Sequence, residues 1–395
     1  MKKINLRFLA LLLFGLLSKA QALGLSDMNS SAMGGGLGMV SASDGSMVAV
    51  ATLQPDLKLG DFGFGLNVNV LLDPTKKPNN FEAFSMRWVE YDNGSIGGRY
   101  GLLSDITLGY GLLMDSYSTA RAGQSVFSAE QAGIRAYTKL FDPLGVYILS
   151  TNSKLVALRL TQTLSKDLLL GRPLTLGETY IYDRDGVLTS SGTIGGDQGA
   201  GGVDIGMPIM ENLWEVFAEY GVLNNYGAGT SLGTKFKFGG ELLDLRFAYQ
   251  MLSGRFVPAY FNKVYEDSPV NPATVPNENK NGWFGTAGID LLGFGRFEST
   301  YQSFTTSSGT QSNTVQAALG VKEFQGISFV ANYLQPNFAG IGSLSSNNAT
   351  ILVDFSYPLN PFTKMIGHYT KVYTTSTAYT ESYSAELSFQ LPISF

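Results

Sequence analysis

The feature that most constrains this chain is a two-residue period of apolar side chains that recurs along its length. Between Phe62 and Val70 every even position is apolar and every odd position is Gly or Asn. The same alternation returns at 214–220, 243–250 and 351–357. This is the period of a β-strand whose two faces meet different surroundings. The sequence therefore predicts strands with one apolar and one polar face.

Turn signals separate these runs. Four dipeptides supply the positive φ angles that tight hairpins need: Asn93–Gly94, Asp185–Gly186, Gly239–Gly240 and Ser308–Gly309. Longer polar connections are expected at 185–202, 266–282 and 335–348. We expect short turns at one end of the strands and long loops at the other, which is typical of outer-membrane barrels.

The first 22 residues predict an export signal. Lys2, Lys3 and Arg7 form a basic start, residues 8–17 are apolar, and the Ala20–Ala22 tripeptide has the small-residue pattern of a cleavage site. The apolar run is shorter than the roughly 18 to 20 residues that span a bilayer as a helix. We expect a signal peptide at 1–22, cleaved after Ala22.

Composition narrows the class further. Charged residues make up 15% of the chain, against about 25% in soluble proteins. With a net charge of −5 and no basic block, nucleic acid is not expected as a partner. The absence of cysteine excludes disulfides and thiolate chemistry. Because no later stretch is long enough for a transmembrane helix, any membrane crossing must use strands.

The C-terminal segment has an apolar residue at every odd position from Tyr383 to Phe395. It resembles the terminal strand of bacterial outer-membrane proteins. That resemblance implies recognition by the barrel-assembly machinery, through an assembly signal made of Leu387, Phe389, Leu391, Ile393 and Phe395.

Together these patterns predict an all-β fold: a transmembrane, antiparallel, up-and-down β-barrel in the outer membrane of a Gram-negative-type bacterium. At about 25 residues per strand and loop, residues 54–395 would form about 14 strands, with 12 to 16 left open. Aromatic girdles are expected at the membrane interfaces, from Tyr110, Tyr117, Tyr260, Phe261, Trp283, Tyr369 and Tyr373.

Residues 23–53 are Gly- and Ser-rich and only weakly periodic, so we expect either a short plug or a periplasmic leader. The segment resembles the start of long-chain fatty-acid transporters of the FadL type, in which such a piece folds inside the lumen. In that family an Asn-Pro-Ala motif usually follows, where this chain has Gln54, Pro55 and Asp56. The resemblance implies transport of hydrophobic compounds past a hatch.

Charged residues of the polar face are the candidate pore lining. They are Arg135, Lys139, Arg159, Glu215, Glu219, Lys235, Lys237, Asp244, Arg246, Arg296, Glu298 and Asp354. Such side chains can face an aqueous lumen at little cost. Because both signs occur in similar number, weak ion selectivity is expected unless the basic residues cluster.

The single histidine, His368, is the only candidate base for a triad, and no nucleophile motif accompanies it. We therefore expect no enzyme, no cofactor and no metal site. The predicted function is a porin-like channel for passive diffusion of small solutes. The alternatives are a FadL-like transporter of hydrophobic compounds and a plugged barrel that acts in secretion or envelope interactions. The expected partners are outer-membrane lipids, the assembly machinery and the solute or hydrophobic substrate, with a homotrimer left open.

Overall fold

The computed structural model describes most of the chain after residue 31. The described residues are 32–41, 47–72, 83–103, 106–119, 132–141, 143–169, 171–184, 188–189, 192–193, 197–239, 242–262, 265–266, 269–291, 294–324, 327–336, 338–340, 349–360, 363–373 and 378–392. The expected signal peptide, the Asp185–Gly186 turn and the last two signal residues, Ile393 and Phe395, lie outside this part of the chain.

Almost all regular structure in the described residues is β-strand, with one short 3-10 helix at Pro272–Thr274. The strands are β1 (Ala32–Ser41), β2 (Met47–Leu59), β3 (Phe62–Leu71), β4 (Phe84–Asp92), β5 (Ile96–Leu102), β6 (Ile106–Leu108), β7 (Met114–Tyr117), β8 (Ala132–Phe141), β9 (Leu144–Thr151), β10 (Leu155–Leu169), β11 (Arg172–Asp183), β12 (Leu188–Thr189), β13 (Gly192–Thr193), β14 (Gln198–Met210), β15 (Trp214–Leu223), β16 (Gly227–Phe238), β17 (Leu243–Gly254), β18 (Phe261–Asn262), β19 (Lys280–Asp290), β20 (Gly295–Thr306), β21 (Gln311–Phe324), β22 (Ile327–Pro336), β23 (Thr350–Asn360), β24 (Thr363–Tyr373) and β25 (Tyr379–Pro392).

Twenty of these strands form one antiparallel sheet. Each pairs with the next wall strand along the chain, and β1 pairs with β2 on one side and with the last strand, β25, on the other. The described sheet thus has more strands than the expected 14. The estimate of 25 residues per strand was too high, because the strands are joined at one end by turns of at most four residues.

Connection length differs between the two ends of the sheet. Since neighbouring strands are antiparallel, alternate connections lie at the same end. The end with the turns at 60–61, 93–95 and 239–242 carries only short connections, and the longest ones, such as 103–131 and 255–279, lie at the other end. This confirms the expected division into a short-turn end and a long-loop end. Gly94, Gly239 and Gly309 have the positive φ angles expected in their turns.

Residues 23–53 were expected to form a plug or leader, but the described part of this segment lies in the sheet. Strand β1 lies between β2 and β25, and the expected domain boundary at residue 53 falls inside β2. The ladder can include this Gly-rich stretch because sheet pairing uses backbone groups, which every residue except proline supplies in full. The described residues of this segment, 32–41 and 47–53, therefore lie in the wall and do not support the resemblance to the FadL type.

The two faces of the sheet differ in chemistry. We call the face that packs against the segments described next the inner face, and the opposite one the outer face. Outer-face residues include large exposed apolar side chains such as Tyr220, Leu232, Phe247 and Trp283. Cross-strand register places all twelve predicted pore-lining residues on the inner face. The charged residues that the sequence assigns to the polar face of the strands therefore lie on the inner face.

Two long loops fold against the inner face. Their described residues, 103, 106–119, 256–262 and 265–266, are called the inner layer. Within it β6, β7 and β18 form a small sheet, and Phe261 donates its backbone N–H to the carbonyl of Leu113 at 3.1 Å. Apolar side chains of the layer pack on the wall in one buried cluster, which includes Leu112, Met114 and Phe256.

This layer corrects one prediction. Tyr117, Tyr260 and Phe261 were expected at membrane interfaces, but they are 0–3% exposed in the apolar cluster, and Tyr110 packs against a second cluster. Their loops fold inward, where their apolar side chains are buried against the wall. Trp283 instead lies on the outer face, where it is 63% exposed. Among the described residues, no helix has the length and apolarity needed to cross a membrane.

Candidate functional site: the inner layer and its cavity

Arg246 on β17 fixes the turn that joins β6 to β7. Its guanidinium donates to the carbonyl of Tyr110 at 2.6 Å and to the carboxylate of Asp115 at 2.6 Å, and it stacks 4.6 Å above the ring of Phe284. Asp115 also accepts a hydrogen bond from Thr107 at 3.0 Å. A charge-assisted pair of this kind is stronger than a neutral hydrogen bond. Arg246 is thus a structural clamp.

Tyr110 is the tip of the inner layer. Its ring stacks on Phe217 with centroids 4.1 Å apart and an interplanar angle of 5°. Its hydroxyl donates to Glu215 at 2.5 Å, and the ammonium group of Lys235 lies 4.8 Å from the ring centroid. Burial, followed by Glu215, raises the pKa of Tyr110, so the phenol stays protonated and keeps donating.

Glycine on the wall makes room for this tip. A Cβ atom at Gly206 would lie 1.7 Å from the Tyr110 hydroxyl and 2.8 Å from Glu215. At Gly221 a Cβ would lie 2.9 Å from the Leu113 side chain. Only glycine permits such close approach of loop and strand.

A buried carboxylate holds the next residue of the turn. Glu219, 6% exposed, accepts the backbone N–H of Leu112 at 3.0 Å. Gly109 has a φ of +66°, and a Cβ there would lie 2.4 Å from Glu219. The turn therefore owes its position to three wall residues, Glu215, Glu219 and Arg246, all predicted from the sequence as pore lining.

The second loop is held through two further buried carboxylates. Tyr117 and Ser153 donate to Glu266, the latter at 2.9 Å, and Tyr265 donates to Asp183 at 2.8 Å. Burial, reinforced by the carboxylates, raises the pKa of Tyr117 and of Tyr265 well above the ordinary value. These contacts join both loops of the inner layer to β11 and the β9–β10 turn.

A cavity of about 410 Å³ lies between β6 and the wall strands β8 to β10. Three basic residues, five hydroxyl side chains and four apolar or glycine positions line it: Ile106, Thr107, Leu108, Arg135, Tyr137, Thr138, Lys139, Gly145, Val146, Tyr147, Arg159 and Thr161. The structure thus brings Arg135, Lys139 and Arg159 together from the predicted set.

The two arginines of this cavity have carboxylate partners behind them. Arg159 donates to both oxygens of Asp204, at 2.5 and 2.9 Å. Arg135 shares Glu90 with Arg99, at 3.3 and 3.2 Å. Their planar forks are held in fixed orientations by these bonds.

The remaining predicted residues lie apart from this group. Arg296 bonds Asp244 and Glu298, the latter at 2.6 Å. Lys237 is exposed at the short-turn end of β16.

The cross-strand neighbours of His368 belong to no local sequence motif. Register places it opposite Asp354 on β23 and Ser384 on β25. A hydrolytic triad also needs oxyanion donors, and backbone N–H groups of paired strands are already used by the ladder. We therefore assign this row no catalytic role. Among the described residues, no group of three or more His, Cys, Asp or Glu could hold a metal ion.

Sequence reasoning missed the inner layer and its partners. Tyr110, Asp115, Asp183, Asp204 and Glu266 belong to the site, and none was predicted as such. The Gly109–Tyr110–Gly111 tripeptide, with positive φ at both glycines, was the local signal for a turn. Nothing local indicated that the turn folds inward.

Comparison with known proteins adds outer-membrane proteins of low similarity. No protein-family model and no curated protein sequence matches the chain. Among solved structures, OccK5 (OpdH) of Pseudomonas aeruginosa is 12% identical with a TM-score of 0.43, covering 93% of this chain and 99% of that one. Wzi of Escherichia coli, a carbohydrate-binding β-barrel involved in capsule assembly, is 10% identical with a TM-score of 0.42, covering 96% of this chain and 88% of that one. A BenF-like porin from Pseudomonas fluorescens is 10% identical with a TM-score of 0.40, covering 94% and 100%.

These neighbours are outer-membrane porins and barrels. The C-terminal segment of this chain resembles the terminal strand of proteins of that class. They give no support to the resemblance with fatty-acid transporters. At TM-scores below 0.5 the likeness carries no argument about this chain, and the proposals below rest on its own geometry.

Proposed function

We propose that the protein is an outer-membrane β-barrel channel for the passive diffusion of small solutes. The observation that carries this proposal is the pairing of β1 with β25, which leaves no free edge in a sheet with an apolar outer and a charged inner face. A sheet of this kind satisfies its backbone groups internally, as a bilayer requires. The barrel we propose therefore has twenty strands, and the inner layer narrows its lumen.

In this proposal the long-loop end faces the cell exterior and the short turns face the periplasm. The inner layer then enters the lumen from outside, and the cavity of about 410 Å³ lies beneath β6. The last strand carries the proposed assembly signal for the barrel-assembly machinery. A homotrimer stays a proposal as well, since subunit contacts and lipid contacts use the same kind of apolar face.

Single-channel recording tests the proposal directly. The mature protein is refolded in detergent and its current recorded in a planar bilayer, where stepwise conductance is expected. In Arg246→Ala the turn loses its bonds to Tyr110 and Asp115, so the inner layer loosens and conductance rises. Lys154→Ala removes an exposed side chain that does not line the cavity, and as the control it leaves conductance unchanged.

A plugged barrel acting in envelope interactions is the second candidate. It is favoured by the extent of the buried apolar cluster, which joins the inner layer to the wall over strands from β9 to β20. Correctly folded protein that passes no current, both as wild type and as Arg246→Ala, would contradict the channel and support this candidate.

A further inference from the structure

The cavity beneath β6 carries surplus positive charge. None of its lining residues is a carboxylate, whereas Arg135, Lys139 and Arg159 are basic. The hydroxyl groups of Tyr137 and Thr161 add polar lining beside them. Elsewhere on the inner face, acidic residues lie opposite basic ones on neighbouring strands, as Glu215 does to Lys235 and Asp244 to Lys237.

The charges behind the lining do not cancel it. Arg159 is matched by Asp204 through two hydrogen bonds. Glu90 is a single carboxylate shared by two guanidinium groups, those of Arg99 and Arg135. One positive charge is therefore left over at Arg135.

Lys139 adds a second surplus charge. It is exposed, and no residue in the described part of the chain forms an ion pair with it. Asp92 lies near the lining and accepts a hydrogen bond from Tyr137 at 2.5 Å. Its negative charge is attracted by Lys58 as well as by Arg135, so it does not offset Arg135 alone. The balance around the cavity stays positive.

Three other basic groups of the inner face are already in use. Arg246 is held by Asp115 and by a backbone carbonyl, and Arg296 by Asp244 and Glu298. Lys235 lies over the ring of Tyr110. Lys237 is exposed at the short-turn end of β16, outside the cavity. In the described part of the chain, the cavity brings three basic side chains together with room beside them.

We propose that this cavity, called the basic cavity, is a subsite for the carboxylate or phosphate group of a small solute and makes the channel prefer anions. The inference rests on the proposed channel function. A cleft of one charge sign with low-dielectric walls concentrates counter-ions and speeds their entry. Guanidinium groups held in fixed orientation suit planar carboxylates and phosphates.

Reversal potentials in a potassium chloride gradient test the preference. For the wild type we expect a chloride-to-potassium permeability ratio above one. The Arg135→Gln/Lys139→Gln double variant removes both surplus charges, and the ratio falls about two-fold or more. Lys154→Gln is the matched control, since it removes one positive charge from an exposed turn at the opposite end of these strands, and it leaves the ratio unchanged.

Block of the chloride current then identifies the anion class. Inorganic phosphate and succinate are added in turn to the wild type and to the double variant. Block by phosphate alone assigns a phosphate subsite, and block by succinate alone assigns a carboxylate subsite. Whichever block occurs in the wild type is lost in the double variant. Block by neither probe overturns the subsite.

The outcomes separate the two proposals. Clear conductance without chloride preference, or a preference that the double variant retains, overturns the basic cavity and leaves the channel standing. A folded protein without conductance contradicts the channel itself and this inference with it. Heat-modifiable mobility of each variant shows that it has folded.

Discussion

The two faces of the same strands have opposite chemistry and different kinds of partner. On β15 the inner residues Glu215, Phe217 and Glu219 each contact the inner layer, whereas Tyr220 on the outer face is 46% exposed. The inner face is bound to the inner layer by specific hydrogen bonds and by close packing. The outer face is mostly apolar, so what it needs from its surroundings is an apolar medium and not a particular shape.

The outer face also carries charged residues in the described part of the chain. Register places Glu178 of β11 opposite Leu160 and Val203, midway along the strand, where it is exposed. Lys371 and Glu381 lie on the outer face near the long-loop end, but they pair at 2.9 Å among tyrosines. Among the carboxylates whose side chains the structure describes, Glu178 thus departs most from the apolar pattern.

The largest effect is expected from a charge placed on the outer face. Val203→Arg puts a guanidinium among exposed apolar residues, at a cost of about 2–4 kcal/mol if this position lies near the bilayer midplane. Urea titration of folding in lipid vesicles measures the loss in the free energy of unfolding. Thr300→Arg, on the inner face of β20, is the control and changes it little. Equal losses in both variants would contradict the assignment of the two faces.

A side chain on an inner-face glycine tests the close approach. Gly206→Val places atoms where the Tyr110 hydroxyl lies, so we expect a loss of about 1–3 kcal/mol from overpacking and a larger conductance. Gly201→Val, on the outer face with its nearest atom 3.9 Å from a Cβ, is the control. Unchanged conductance in Gly206→Val would show that Tyr110 does not narrow the lumen.

Removing the exceptional carboxylate sharpens the comparison further. Glu178→Leu continues the apolar outer face, and we expect the free energy of unfolding in vesicles to rise by about 1 kcal/mol, since an acidic residue costs less there than a basic one. Glu298→Leu on the inner face loses its bond from Arg296 and gives no gain. A loss of stability in Glu178→Leu would mean that Glu178 has a partner outside the chain.

The smallest effect is expected at the histidine. His368→Ala leaves conductance and selectivity unchanged, because the channel needs no general base. Ester hydrolysis by the wild type that disappears in His368→Ala, and also in Ser384→Ala, would instead assign a catalytic role to the row with Asp354. Ser382→Ala on the same strand is the control.

Much of the fold could be predicted from the sequence. The four alternating segments lie in β3, β15, β17 and β23, and the terminal segment lies in β25 up to Pro392. Strand number could not, since it depends on how few residues each turn uses. The place of residues 32–41 in the sheet could not be predicted either, because the Gly-rich strand β1 is held by its neighbours and not by its own pattern.

The candidate site was predictable only in its wall half. Parity grouped Glu215, Glu219 and Arg246 on one face, which is the inner face. Their partners Tyr110, Leu112 and Asp115 are more than 100 residues away along the chain. Local patterns carry no information about such contacts, because loop closure is decided by the whole sheet.

The sequence by itself determined which side chains share a face, because the two-residue period follows from strand geometry alone. Only the tertiary structure decided which of these charges meet a partner and which stay free. Arg246 binds the inner layer, whereas Lys139 forms no ion pair with any described residue. The reason is that the inward path of two long loops covers one part of the wall and leaves a cavity beside another.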